Sequence, residues 1–165
     1  MAAAQEHGTV KLYHQDADNG FNSRLFELNT RNFRLGPSET KDTFAIDQQP
    51  HLEDTGITAV PNDKLILQFI ADAADTVESE ECVILIPIRK RNLRTGKVSV
   101  GYLTGADFVN GATTLGPAGT ADVACAAGAE TVLGTYTVPE GVVVRVGNPN
   151  PINGRMFIYL GDDTA

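Results

Sequence analysis

The chain has no tryptophan, and its 165 residues include only two cysteines, two methionines and three histidines. Each scarcity removes a class of function. Cys82 and Cys125 are too few and too far apart for a disulfide framework. Each lies in an apolar stretch, so both are expected to be reduced core residues. His7, His14 and His51 fall in neither His-x-x-x-His nor Glu-x-x-His spacing, and no Cys-x-x-Cys occurs. Zinc needs three or four converging ligands, so no metal and no cofactor is expected. The only serines are Ser23, Ser38, Ser79 and Ser99, with no Gly-x-Ser-x-Gly elbow. No phosphate loop is present, and no basic residue occurs from Gly105 to Val144. Binding rather than catalysis is the expectation.

Basic residues are also in the minority, 13 against 21 acidic, for a net charge of −8. General nucleic-acid binding needs a basic surface that displaces counterions from phosphates, so no nucleic-acid partner is expected. No apolar run approaches the roughly 20 residues of a membrane-spanning helix, so no membrane partner is expected either. The start, Met1-Ala2-Ala3-Ala4-Gln5-Glu6-His7, lacks the basic end and apolar stretch of a signal peptide. The chain is therefore expected to be made in a cytoplasm and kept or assembled there.

What the sequence does have is period-two alternation. Leu65, Leu67 and Phe69 alternate with Ile66, Gln68 and Ile70. Val98, Val100 and Tyr102 alternate with Ser99 and Gly101; Val142, Val144 and Val146 alternate with Val143 and Arg145; Met156, Ile158 and Leu160 alternate with Phe157 and Tyr159. Alternation sends one set of side chains to each face of a sheet. Turn signals separate the runs: Asp18-Asn19-Gly20, Gly36-Pro37-Ser38, Pro61-Asn62-Asp63, Thr95-Gly96, Pro139-Glu140-Gly141 and the Asn/Pro loop 148–154. About ten short strands with such turns predict an all-β fold, an antiparallel sandwich or jelly-roll-like barrel with an extended N-terminal segment.

Two hairpins are predicted. One joins Cys82–Ile88 to Lys97–Leu103, with Arg89–Gly96 as its connection. The other joins Thr135–Val138 to Val142–Gly147 through Pro139-Glu140-Gly141. A final strand spans Arg155–Leu160. The only helix candidate lies near Ala71–Glu81, with an acidic loop as the alternative. Residues 46–165 form the body of one domain. Residues 1–45, with short strands at Val10–Tyr13, Leu25–Leu28 and Phe33–Leu35, are either its edge strands or an arm that orders against a neighbouring subunit. In the second case Val10, Leu12 and Tyr13 are partner contacts.

Candidate sites are few. Asp16-Ala17-Asp18-Asn19-Gly20 starts like a calcium loop, but Gly20 and Phe21 break the pattern, which leaves a turn. Asp72, Asp75, Glu78, Glu80 and Glu81 read as a solvated acidic face. Arg89, Lys90, Arg91, Arg94 and Lys97 gather five of the 13 basic residues at a hairpin tip. In an acidic chain that cluster is either a solubilising tip or a contact for an acidic partner, whose carboxylates arginine binds bidentately.

In style the chain resembles tailed-bacteriophage capsid-decoration (cement) proteins and related minor virion proteins. The resemblance is carried by the Ala-rich, Lys-poor start, by Val60-Pro61-Asn62-Asp63-Lys64-Leu65-Ile66-Leu67, and by Gly134-Thr135-Tyr136-Thr137-Val138-Pro139-Glu140-Gly141-Val142-Val143-Val144-Arg145-Val146. It implies a compact β domain on the virion exterior that clips onto the major capsid protein, often as a homo-trimer, and stabilises the lattice. The alternatives are a head–tail or tail component of the virion, or a carbohydrate- or ligand-binding β-sandwich. The last is weakened by the missing tryptophan and the scattered Tyr13, Tyr102, Tyr136 and Tyr159.

Overall fold

The computed structural model describes residues 4–5, 8–29, 54–78, 82–115, 122–147 and 156–162. The described strands, in chain order, are β1 (Ala4–Gln5), β2 (Gly8–Gln15), β3 (Asn22–Asn29), β4 (Thr58–Ala59), β5 (Lys64–Ala71), β6 (Asp75–Glu78), β7 (Val83–Asn92) and β8 (Val98–Thr104). A single 3-10 turn at Gly105–Asp107 follows. Then come β9 (Val109–Asn110), β10 (Thr113–Thr114), β11 (Asp122–Cys125), β12 (Glu130–Thr137), β13 (Val142–Val146), β14 (Phe157–Tyr159) and β15 (Gly161–Asp162). The predicted strand at Phe33–Leu35, the turn at Gly36–Ser38, the loop 148–154 and residues His7, His51, Glu80, Glu81 and Arg155 lie outside the described residues.

The fold is an all-β, antiparallel sandwich. One sheet runs β10-β9-β12-β5-β2-β3. The other is organised around β7, which pairs with β8 along one side and with β14 and then β13 along the other; β4 follows β13. Two short ribbons, β1-β15 and β6-β11, complete the described pairing. Alternation makes the core. Leu65, Leu67, Phe69 and Ala71 point inward from β5, with Val10 and Leu12 beside them on β2. Ile84, Ile86 and Ile88 point inward from β7, with Val144 and Val146 on β13. Each large side chain sealed this way contributes about 1.5–3 kcal/mol relative to exposure. The alternation slips on β12, where a bulge between Val132 and Gly134 turns Leu133 and Gly134 inward together. There a Cβ on Gly134 would stand 2.9 Å from Cβ of Phe108, so this strand needs a glycine.

Four expectations are corrected. Residues 135–147 are not a hairpin, because β12 belongs to the first sheet and β13 to the second. The Val138–Gly141 turn is a corner between the layers, held where Asn62 N donates to Val138 O (2.9 Å) and Val138 N donates to Asp63 O (2.9 Å). No helix forms over the described part of Ala71–Glu81; β6 pairs with β11 there, as Val77 is fully buried and anchors a strand. Val10 and Leu12 are not available to a neighbouring subunit. They are fully buried, since β2 lies between β5 and β3 inside the sheet, and Tyr13 beside them is half-buried. Last, β7 runs on to Asn92, so the hairpin connection is shorter than Arg89–Gly96.

Leu67→Ala is expected to lose about 2–5 kcal/mol of stability by leaving a cavity between the sheets. Gly134→Ala should lose about 1–3 kcal/mol by overpacking against Phe108. Urea unfolding midpoints measure both, and a wild-type midpoint for either variant would contradict the core assignment.

Candidate partner-binding face

The predicted basic cluster is spread along a strand rather than held at a tip. The turn itself is Leu93-Arg94-Thr95-Gly96. Asn92 builds it: its side-chain oxygen accepts from the amides of Arg94 (2.9 Å) and Thr95 (3.1 Å), and Gly96 takes a φ of 74°. Arg94 is therefore an exposed turn residue, and Lys97 stands exposed at the foot of β8. Arg89, Lys90 and Arg91 belong to β7. Alternation then divides them. Ile84, Ile86 and Ile88 face the core, so Lys90 continues their row, while Arg89 and Arg91 point from the outer face.

The register adds neighbours that the sequence did not show. Arg89 lies opposite Val100 on one side and Arg145 on the other; Arg91 lies opposite Val98 and Val143; Arg145 is also opposite Thr58. Thr58, Arg89, Arg91, Val98, Val143 and Arg145 together line a shallow open depression of about 290 Å³. Three guanidinium groups on neighbouring strands share it with two valines. The rest of the β8 outer row extends the apolar part: Val98 is 49%, Val100 63% and Tyr102 42% exposed.

This face carries excess positive charge. Arg89 and Arg145 are directly opposite, and like charges in that position repel. Among the described residues one carboxylate answers them: Arg145 Nε donates to Asp54 Oδ1 at 2.7 Å. Asp54 is positioned by Thr55, whose amide (3.2 Å) and hydroxyl (2.8 Å) both donate to Val146 O. The hydrogen bonds from Arg145 and from the Gly56 amide hold the Asp54 carboxyl below the ordinary carboxylate range, against the effect of its partial burial, and Arg89 adds to the same field. Among the described residues, no salt bridge or side-chain hydrogen bond involves Arg89 or Arg91. They remain available to bind an incoming carboxylate.

The other charged groups serve the fold. Lys11 pairs with Glu130 at 3.2 Å, and Arg24 pairs with Glu27. The Glu130 carboxylate holds the Lys11 ammonium above its usual range. Burial pushes the Tyr136 hydroxyl up, with Asp107 adding to it. His14 donates from Nε2 to Asp63 Oδ2 at 2.8 Å. Asp63 is buried, and its oxygens also accept from the amides of Ala17 (3.0 Å) and Val60 (3.0 Å). Burial acts to raise its carboxyl pKa; the His14 ring and the two amides outweigh that and hold it below the ordinary range. One side chain thus ties the β2–β3 turn to the β4–β5 turn. Among the described residues no His, Cys, Asp and Glu cluster has the form of a metal site.

A carboxyl whose pKa is depressed by folding contributes stability above its unfolded value, and that contribution is lost as pH falls through the folded value. Asp63→Asn is expected to lose about 1–3 kcal/mol near neutral pH. The gap to wild type should narrow below about pH 4, where the unfolded carboxyl protonates. Urea titrations at neutral and acid pH measure it, and a gap independent of pH would refute the assignment. No protein-family model, no curated protein and no solved structure matches the chain.

Proposed function

We propose that this chain is a docking protein of the capsid-decoration kind, which binds the outer surface of a viral capsid lattice and stabilises it. The observation that carries the proposal is the outer face of β8, β7 and β13. Val98, Val100 and Tyr102 are exposed side by side, next to Arg89 and Arg91, in a chain of net charge −8. An apolar row rimmed by arginine is a common composition for a protein-binding surface. Its positive field within an acidic chain favours an acidic partner surface and steers the encounter.

The resemblance to decoration proteins supplies the partner, the major capsid protein, and the place, the virion exterior with chains present as trimers. In this reading cementing comes from multivalency. Each docked copy touches more than one lattice subunit, and linked contacts reinforce one another through effective concentration. The arginine pairs are solvent-accessible, so each is worth little alone. Avidity across copies then provides most of the hold.

The test is density-gradient sedimentation of particles from the source culture, probed for this chain. Wild type is expected to run with particles of megadalton size and to leave them as salt shortens the screening length. Arg89→Glu/Arg91→Glu should stay at the top of the gradient. Its unfolding free energy from urea titration should stay within about 0.5 kcal/mol of wild type, because both side chains are on the surface. Wild type that never co-sediments would sink the proposal.

A further inference from the structure

Among the described residues β8 is an edge strand without the usual protection. Within the described sheet it pairs with β7 alone, and its sequence Val98–Thr104 carries no charged residue and no proline. The edge strand of the other sheet, β3, carries the charged pair Arg24 and Glu27. Proteins blunt edges with charge, proline or cover because an open edge is a template for another strand.

The register shows which groups of β8 face outward. Asn92 N donates to Lys97 O at 2.9 Å, so this opposed pair is a hydrogen-bonded one. In an antiparallel ladder such pairs alternate with non-bonded ones. Lys90–Ser99 and Ile88–Gly101 are then the next bonded pairs, and Arg91–Val98, Arg89–Val100 and Pro87–Tyr102 are not. Pro87, which has no N–H, fits its non-bonded position, and its carbonyl instead accepts from Gly147 N at 2.8 Å on the opposite side. The N–H and C=O groups of Val98 and Val100 therefore point away from β7, along the open edge. The same two residues present their exposed side chains on the arginine face.

We infer that β8 takes up an extended acidic segment of the partner as an added strand, in which carboxylates alternate with apolar residues. This deepens the docking proposal above and rests on it. Strands lie about 4.8 Å apart, so an added strand stands two spacings from β7. A glutamate on its outer face reaches back over Val100 toward Arg89, and one two residues away reaches over Val98 toward Arg91. Backbone pairing supplies affinity, and the two unanswered guanidinium groups select acidic side chains.

The inference separates from docking in general by one substitution. Val100→Pro removes an N–H that points outward and leaves the β7 ladder intact, as proline at an edge position does. A wild-type urea midpoint confirms that the variant folds. In the gradient it should release from particles as Arg89→Glu/Arg91→Glu does. If Val100→Pro stays bound while the arginine variant is released, strand addition is overturned and docking stands. If both stay bound, both ideas fail.

A second probe is a short capped peptide in which glutamate alternates with valine, with lysine replacing glutamate in the control. Amide exchange followed by NMR should show the acidic peptide protecting Val98 and Val100. Arg89→Gln/Arg91→Gln should weaken that peptide about tenfold, two modest ion pairs' worth. Equal protection by the lysine peptide would overturn the inference. So would protection that rises with protein concentration in the absence of peptide, which would make a second copy the occupant.

Discussion

The proposed docking face depends on the inward row of one strand. Ile84, Ile86 and Ile88 fix β7 against the core, and β7 in turn pairs with β8, β13 and β14. Once those three isoleucines point inward, Arg89 and Arg91 point outward. A register slip of one residue would bury two guanidinium groups and expose the isoleucines, so core packing and surface charge are set together. Val144 and Val146 do the same for Arg145 from the neighbouring strand.

Much of this was legible from alternation alone. The inward sets on β5, β7 and β13, the β7–β8 hairpin and the turn at Gly96 follow from period two and turn chemistry. Arg89 and Arg91 stood out by charge clustering, although the strand's extension to Asn92 moved them from a loop to a sheet face. Arg145 was overlooked. Its alternation with Val144 and Val146 marks it as outward, but its neighbours depend on β13 pairing with β7 across more than 50 residues of chain. Local sequence does not encode that pairing. The Val-Pro-Glu-Gly turn misled for a related reason: the same residues serve a hairpin or a corner, and the distant bonds from Asn62 and to Asp63 select the corner. Val10 and Leu12 misled because an N-terminal strand with little apolar sequence around it still enters the middle of a sheet.

The charge distribution separates two tasks. Asp63, buried and hydrogen-bonded, spends its carboxylate on joining turns. Lys11, Glu130, Arg24 and Glu27 pair on the first sheet. The second sheet keeps Arg89 and Arg91 unpaired among the described residues, beside a valine row and an open strand edge. Each of these features is mildly unfavourable for an isolated domain, through like-charge repulsion, exposed apolar area and unpaired backbone groups. Their coincidence on one face is what a waiting interface requires, because a single acidic, extended partner relieves all three.

The most direct measurement is hydroxyl-radical footprinting of the chain free and bound to purified particles. Protection concentrated at Val98, Val100, Tyr102 and the side chains of Arg89, Arg91 and Arg145 is the predicted result. Protection on the outer face of the first sheet, around Lys11 and Glu130, with residues 98–102 unchanged, would contradict the account.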